Sequence, residues 1–518
     1  MQVKENWEIK KSSVSSKGGV VSSHHFEASN IGTEILNSGG NAVDAAVAMG
    51  LTLGIVEPWM SGIGGCGFMV YYDSKSQKSY SIDFGVKSPI NLNTSKFKII
   101  DDGNDDDLFG WPLVEDNINI HGPLSMAVPG YISGISNALN SFGSMSWKEI
   151  IEPAYQLSKR GLAVDWYTTL RISLEAKYLR KYSSSSDIFL DDGLPPISED
   201  PVNLKFIKNK NLMNSYEILK QDGPSSFYSG ELSEILLRDF ELIKSVISNK
   251  DLSNYESKKS NTQKSNYRNA EIHVAPGLNA GPSLIDALNN LELSWLPNSD
   301  SPSSLDYNAY AKSLITAYEK RLSLMGSNSD EGCTTHLSVI DKEGNMVSLT
   351  QTLLSVFGSR LVLPESGILM NNGIMWFDPR PNKPNSLKAC SKPLSNMCPV
   401  IVIENTGKKI ALGASGGRRI FPAVFQLISF LVDYNMTLND AFNTPRIDYS
   451  GENRILASNL LDSTVLDKLN QVLPTYDVPD SVVSHLFSAP NAVMLGFENK
   501  RYGNAYIPSP WSSTISTS

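Results

Sequence analysis

The stretch SDEGCTTHLSVIDKEGNMVSLTQT, residues 329–352, changes character in its middle. Acidic and small residues run up to Cys333; from Thr335 to Ile340 apolar and polar residues alternate with the period of a strand. Asp341 to Asn345 has the composition of a hairpin turn, and Met346 to Thr352 predicts the returning strand. The question is why a polar connector should end in Cys333-Thr334-Thr335 where the strand begins.

Inside a chain, Thr334 is a weak nucleophile that needs a base, and no GxSxG-type signature supplies one. If the Cys333–Thr334 bond is cut, Thr334 gains an α-amine whose ordinary pKa of about 7.7–8.0 suits a base near neutrality. Threonine activated by its own N-terminal amine is an established class of nucleophile. The same hydroxyl could attack the Cys333 carbonyl to make the cut, with an exposed SNSDEG segment upstream letting the bond bend. The bland reading is a plain strand start, because β-branched residues favour strands. These residues alone leave both readings open.

Outward from this stretch, the 518-residue chain is ordinary globular material, with 41% apolar and 19% charged residues. Its net charge of −9 and lack of a basic stripe disfavour nucleic acid as a partner. The four cysteines (Cys66, Cys333, Cys390, Cys398) form no CxxC and the six histidines no HExxH, so neither a metal site nor a disulfide framework is expected. No other cofactor is expected. The first 16 residues lack the apolar core of a signal peptide, and Ala42 to Val56 carries Asp44 and is too short to span a bilayer. These features predict no membrane association and a cytoplasmic protein.

GGVVSSHH (18–25) predicts a strand leading into a helix from Glu27 to Leu36, and Asn41 caps a second helix, apolar all round. SGIGGCGFMVYYD (61–73) is a glycine-rich turn before a strand; phosphate-cradling loops lead into helices instead, so close backbone packing is the better reading. Ser146 to Glu149 is a capping box, and residues 231–249 and 305–325 have helical apolar spacing. The polar piece from Asn249 to Asn269 has the composition of a disordered linker. Strands are predicted at 271–274, 400–403 and 410–412, then a GASGG turn (413–417) and a helix from 422 to 432. Strands drawn from distant regions with helices around them predict a layered α/β or α+β sandwich.

TTHLSVIDKEGNMVSLTQT resembles the nucleophile segment of the γ-glutamyltranspeptidase family, one of the N-terminal-nucleophile hydrolases. GGVVSSHHFEAS, GGNAVDAAVAMGLTLGIVEP, SGIGGCGF and AVPGYISG are similar to its opening motifs. The segment from Asp251 to Glu292 is similar to the one before its cleavage region, which implies order despite the linker-like composition. ESGILMNN, KPLSNMCPVIVIE and LGASGGRRI follow in family order. The resemblance implies an α+β fold, a four-layer αββα sandwich. It also implies self-cleavage between Cys333 and Thr334, into a large subunit 1–333 and a small subunit 334–518 that remain together as a heterodimer. Higher oligomers are compatible with this. By the same resemblance Thr334 is the nucleophile, Thr352 supports it, and Gly416 and Gly417 form the oxyanion hole. The substrate would be a small-molecule amide, of the γ-glutamyl (glutathione) type or of the cephalosporin-acylase type.

The departures fall on the donor-binding positions. Where the family has an arginine for the donor's α-carboxylate, this chain has Gly85; for a pair of serines it has Ser395 and Asn396. Leu354 replaces the asparagine that meets the α-ammonium, and Gly373 and Trp376 replace the glutamine and aspartate of the NNQ-like motif. Arg360, Lys392 and Arg418 are the cations weighed as replacements, against a structural role for each. The expectation is an amide hydrolase or acyltransferase with altered donor preference. The alternative is a catalytically silent paralogue that binds or scaffolds.

Overall fold

The computed structural model describes residues 9–104, 111–200, 202–325, 333–482 and 486–517. The SNSDEG segment (327–332), expected to be exposed, lies outside the described residues, as does the Cys333 side chain.

The sandwich strands in chain order are β1 (Val14–Ser16), β2 (Val20–Ser23), β3 (Cys66–Asp73), β4 (Lys78–Phe84), β5 (Lys258–Asn261), β6 (Gln263–Tyr267) and β7 (Ala270–Val274). They continue with β8 (Cys333–Ile340), β9 (Met346–Leu354), β10 (Val400–Glu404), β11 (Lys409–Ser415), β12 (Ala489–Leu495), β13 (Arg501–Ala505) and β14 (Ser513–Ser516). They form two seven-stranded sheets, β1-β13-β12-β11-β10-β7-β6 and β14-β2-β8-β9-β3-β4-β5. Neighbouring strands are antiparallel throughout, which lets short hairpins such as β8–β9 connect them. In that hairpin the Asp341 carboxylate accepts from the backbone N–H groups of Glu343 (3.0 Å) and Asn345 (2.9 Å). Gly344 supplies the positive φ of 86° that the turn requires.

Side-chain alternation assigns each strand face to a layer. Val21, Leu337, Val339, Val347 and Leu349 pack outward against helices α1 (Phe26–Asn37) and α2 (Ala42–Val56). All of α2 is buried, as its all-round apolar sequence predicts, and a reciprocal Asn41–Asp44 capping box satisfies its first N–H groups. On the other sheet, Val400, Val402, Ile410 and Leu412 pack against the helices Gly281–Ser294, Ser304–Met325 and Ile420–Val432. Truncating one such side chain, Leu337→Ala for example, costs about 2–5 kcal/mol. The order helix, sheet, sheet, helix is the αββα sandwich.

Between the sheets the character changes along the strands. Toward the β8–β9 hairpin the filling is apolar, with Val20, Val70, Ile340, Met346, Ile401 and Val493 in one cluster. Toward Thr334 it is polar. Ser22 donates to the Asn504 carbonyl (2.9 Å), Ser348 to that of Leu412 (2.9 Å), and the Asn491 amide to that of His336 (2.6 Å). Each such bond contributes roughly 1 kcal/mol net.

The piece from Asn249 to Asn269 is ordered, as the family resemblance implied against its linker-like composition: it forms the short helix Asn249–Ser253 and then β5 and β6, one at the edge of each sheet. Its lysines and serines read as linker because an edge strand keeps them exposed, and lysines there discourage pairing with further strands. The helix expected over 231–249 stops at Leu242, where Lys244 turns to a φ of 59°.

Candidate active site

Thr334 and Thr335 follow Cys333 at the start of β8. Cys333 pairs with Leu354 and Thr335 with Gln351, so two β9 residues, Thr352 and Leu353, stand opposite Thr334 alone. This β-bulge re-aims the side chains around it and ends the regular ladder. Thr334 is buried, and Thr352 fully so. The Thr352 hydroxyl accepts the backbone N–H of Leu354 at 2.7 Å. Leu354 has a φ of 86°, unusual for leucine, and Phe357 and Arg360 also have positive φ. Strain of this kind costs about 1–3 kcal/mol per residue and needs a rigid frame.

Asn371 and Asn372 provide that frame, a role the sequence reading missed. Asn372 accepts from the N–H of Ser355 (3.0 Å) and donates to its hydroxyl (2.8 Å) and to the Ile120 carbonyl (2.8 Å). Asn371 clamps the carbonyls of Gly64 (2.8 Å) and Ala127 (2.9 Å). The glycine-rich turn closes the other side by backbone approach. A Cβ on Gly65 would fall 2.4 Å from the Thr352 carbonyl, and one on Gly67 the same distance from that of Thr350. Close packing is thus the work of GIGGCG, as its sequence context implied.

The second sheet brings Gly416 and Gly417 to the same end of the interlayer. The His336 ring lies against Gly413, where a Cβ would fall 2.3 Å from it, so β8 and β11 touch two residues after Thr334 and three before Gly416. Gly416 has φ 131° and Gly417 φ 57°. Their N–H groups stand at the head of the turn Gly417–Arg419 and the helix Ile420–Val432, where no helical carbonyl serves them. A side chain at 416 would also meet Ser488 at 3.1 Å.

The donor-binding candidates lie apart in chemistry. Leu354 and Trp376 belong to one apolar cluster with Phe68, Val86, Ile374 and Leu394. The buried Trp376 indole N–H has no hydrogen-bond partner among the described residues. Arg321 is buried and donates to the Ser395 carbonyl (2.7 Å) and the Asn396 side-chain oxygen (2.8 Å). That fixes the Asn396 amide with its NH2 turned to no acceptor among the described residues. Burial pulls the Arg321 guanidinium down to about 10, still charged at neutrality. Gly85 is buried, its N–H on Asp83 (2.9 Å) and its carbonyl on the Tyr255 hydroxyl (2.6 Å).

Of the cations weighed as replacements, Arg360 is paired with Glu175 (2.9 Å) and Lys392 with Asp83 (2.9 Å). Arg418 is buried next to Gly417, its guanidinium 5.9 Å from the Tyr318 ring centre.

One further polar residue at this end, His24, escaped the sequence reading. The His24 ring spans from the Thr335 hydroxyl (Nδ1, 3.2 Å) to the Ala489 carbonyl (Nε2, 3.1 Å). The only trace of this in sequence is a histidine pair between a strand and a helix.

With this geometry in view, comparison with known proteins gives the class. A sequence model of the family described as Gamma-glutamyltranspeptidase matches residues 28–331 and 322–504. The chain belongs to that family. It is 28% identical over 510 residues to the glutathione hydrolase proenzyme of Bacillus subtilis (strain 168), covering 88% of this chain and 84% of that protein. It is also 28% identical over 478 residues to the acylase ACY 1 proenzyme of Pseudomonas sp. (strain V22), covering 85% and 83%. The crystal structure of cephalosporin acylase from Bacillus halodurans shares the fold, with a TM-score of 0.86 at 18% identity over 99% of this chain and 98% of that one. Among the described residues no helix is long and apolar enough to cross a membrane.

Proposed function

We propose that this chain is a self-cleaving amide hydrolase or acyltransferase whose nucleophile is Thr334. The observation that carries the reading is the bulge, which sets a buried threonine at the strand start against Thr352, at the end of the interlayer where Gly416 and Gly417 lie. In self-cleavage the Thr334 hydroxyl adds to the Cys333 carbonyl. The C–N bond breaks to leave an ester and a free amine, and water releases a large subunit 1–333 from a small subunit 334–518. The two stay together because each sheet is built from hydrogen-bonded strands of both.

In turnover the freed α-amine takes the Thr334 hydroxyl proton as Oγ attacks the donor amide, then passes it to the leaving amine. Oxyanion charge falls on the Gly416 and Gly417 N–H groups; losing one such donor typically costs about 2.7–4 kcal/mol. Water or an acceptor amine then takes the acyl group from Thr334. Family membership and proenzyme relatives support this cycle.

The donor is a small-molecule amide. An α-ammonium at Leu354 and Trp376 would sit in an apolar cluster, an unfavourable burial of charge. The acylase-type donor is therefore favoured over the γ-glutamyl type, and hydrolysis over transfer.

A denaturing gel tests the chemistry: two unequal fragments from the wild type, collapsing to one band in Thr334→Ala, are expected. A single full-length wild-type band would instead support the silent, scaffolding alternative. For the donor, release from a glutaryl anilide is compared with release from a γ-glutamyl anilide. Strong preference for the latter would overturn the donor assignment.

A further inference from the structure

We propose that His24 is a positioning residue, a cross-layer strut that fixes Thr334 relative to the Gly416–Gly417 turn. The inference rests on the proposed role of Thr334 and goes beyond it, because the hydrogen bonds of His24 run to Thr335 and Ala489, the neighbours of the working parts.

The geometry fixes the ring's tautomer. A carbonyl only accepts, so the nitrogen facing Ala489, Nε2, carries the proton. Nδ1 then offers a lone pair, and the Thr335 hydroxyl donates to it. Thr335 is fully buried and His24 is 5% exposed, so neither has water to fall back on. Each end of the strut meets a working part. Thr335 adjoins Thr334 on β8. Ala489 pairs with Ser415, the residue before Gly416, and Ser488 closes the same turn by donating to the Ser415 carbonyl. His24 is held at the end of β2, where Ser23 pairs with Leu337 of β8. One side chain therefore ties the first residues of the nucleophile strand to the strand beside the glycine turn, in the opposite sheet.

A nucleophile and its oxyanion donors that lie in different sheets need such a tie, since a shift of about 1 Å between them can cost on the order of 100-fold in rate. Apolar contact alone is non-directional and would let the sheets slide. A bond at both ends of a rigid ring does not.

The test uses the full chain with Thr335→Val, which is nearly isosteric and removes only the donated proton, and His24→Leu, which removes the strut. Self-cleavage rate, kcat, KM on the anilide turned over by the wild type, and melting temperature are measured. The expected result is a roughly 10- to 100-fold fall in kcat and a slowed cleavage, with KM within about twofold. Thr335→Ser, which keeps the hydroxyl, restores the rate. The double variant is no slower than the worse single one, because both act through one bond. Unchanged kcat in folded Thr335→Val, or losses that multiply in the double variant, would overturn the proposal. If His24→Leu does not fold, Thr335→Val and Thr335→Ser decide it alone. Thr334→Ala separates the two levels. Residual turnover there defeats the underlying reading, whereas an inert Thr334→Ala beside a fully active Thr335→Val defeats only the strut.

Discussion

Two residues of one strand, Thr352 and Leu354, look to opposite ends of the chemistry. Thr352 stands in the bulge against Thr334, on the side where the sheets are bridged by polar groups. Leu354 turns into an apolar cluster with Trp376. In the proposed function the first side breaks the amide, and the second offers carbon where a charged donor would need polar groups. A scaffold can thus hold its bond-cutting parts while its recognition surface drifts, because the former are fixed by backbone geometry and the latter by a few replaceable side chains.

The comparison breaks most completely at Thr334. Thr334→Ala is expected to abolish scission and to lower turnover by more than about 1000-fold, read by gel and anilide assay. Next comes Gly416→Ala, in which a methyl must adopt φ 131° and approach Ser488 at 3.1 Å. A kcat loss of about 100- to 1000-fold with little change in KM is expected, the pattern of a damaged oxyanion site.

On the recognition side, Leu354→Asn sharpens the contrast. Asparagine tolerates positive φ and offers a carbonyl to an ammonium, so the ratio of γ-glutamyl to glutaryl turnover should rise by about tenfold, about 1.4 kcal/mol. No shift would mean that Leu354 does not face the donor.

A smaller effect concerns pH. Burial is the main cause of the lowered pKa of His24, about 4; the bond to the Ala489 carbonyl opposes it, and the Lys11 charge adds slightly. Burial likewise lowers His25 to about 3 and holds His336 well below its ordinary value. Unfolded, these rings bind protons below about pH 6.5 that the folded rings refuse. The contribution of these rings to stability should therefore be level above that pH and fall as pH drops from 6.5 toward 4, by up to about 1.4 kcal/mol per pH unit per ring. Urea midpoints at pH 7 and pH 5 check this, and His24→Leu should flatten the slope.

The smallest expected effect is in Gly413→Ala, whose methyl would press on the His336 ring. A loss of about 1–3 kcal/mol in stability is expected, with cleavage slowed only through the displaced strand.

Much of this was legible because it is local. The alternation from Thr335 to Ile340, the turn at Asp341–Asn345, the Asn41 cap and the glycines of 62–67 each carry their reason within a few residues. Residues 249–269 did not, since backbone pairing with β4 and β7 makes them strands while their side chains stay polar. Asn371, Asn372 and His24 were equally silent, because a polar side chain gains its role only when burial leaves it one set of partners.

By itself, the sequence determined the alternating strand through Thr335 to Ile340 and the order of motifs that places the chain in its family. Only the tertiary structure decided that β9 bulges opposite Thr334, that Leu354 is held at positive φ inside an apolar cluster, and that one histidine joins the two sheets at the candidate active site. The physical reason is range. Periodicity and capping act across a few bonds, whereas register, strain and cross-layer hydrogen bonds are set by residues hundreds of positions apart.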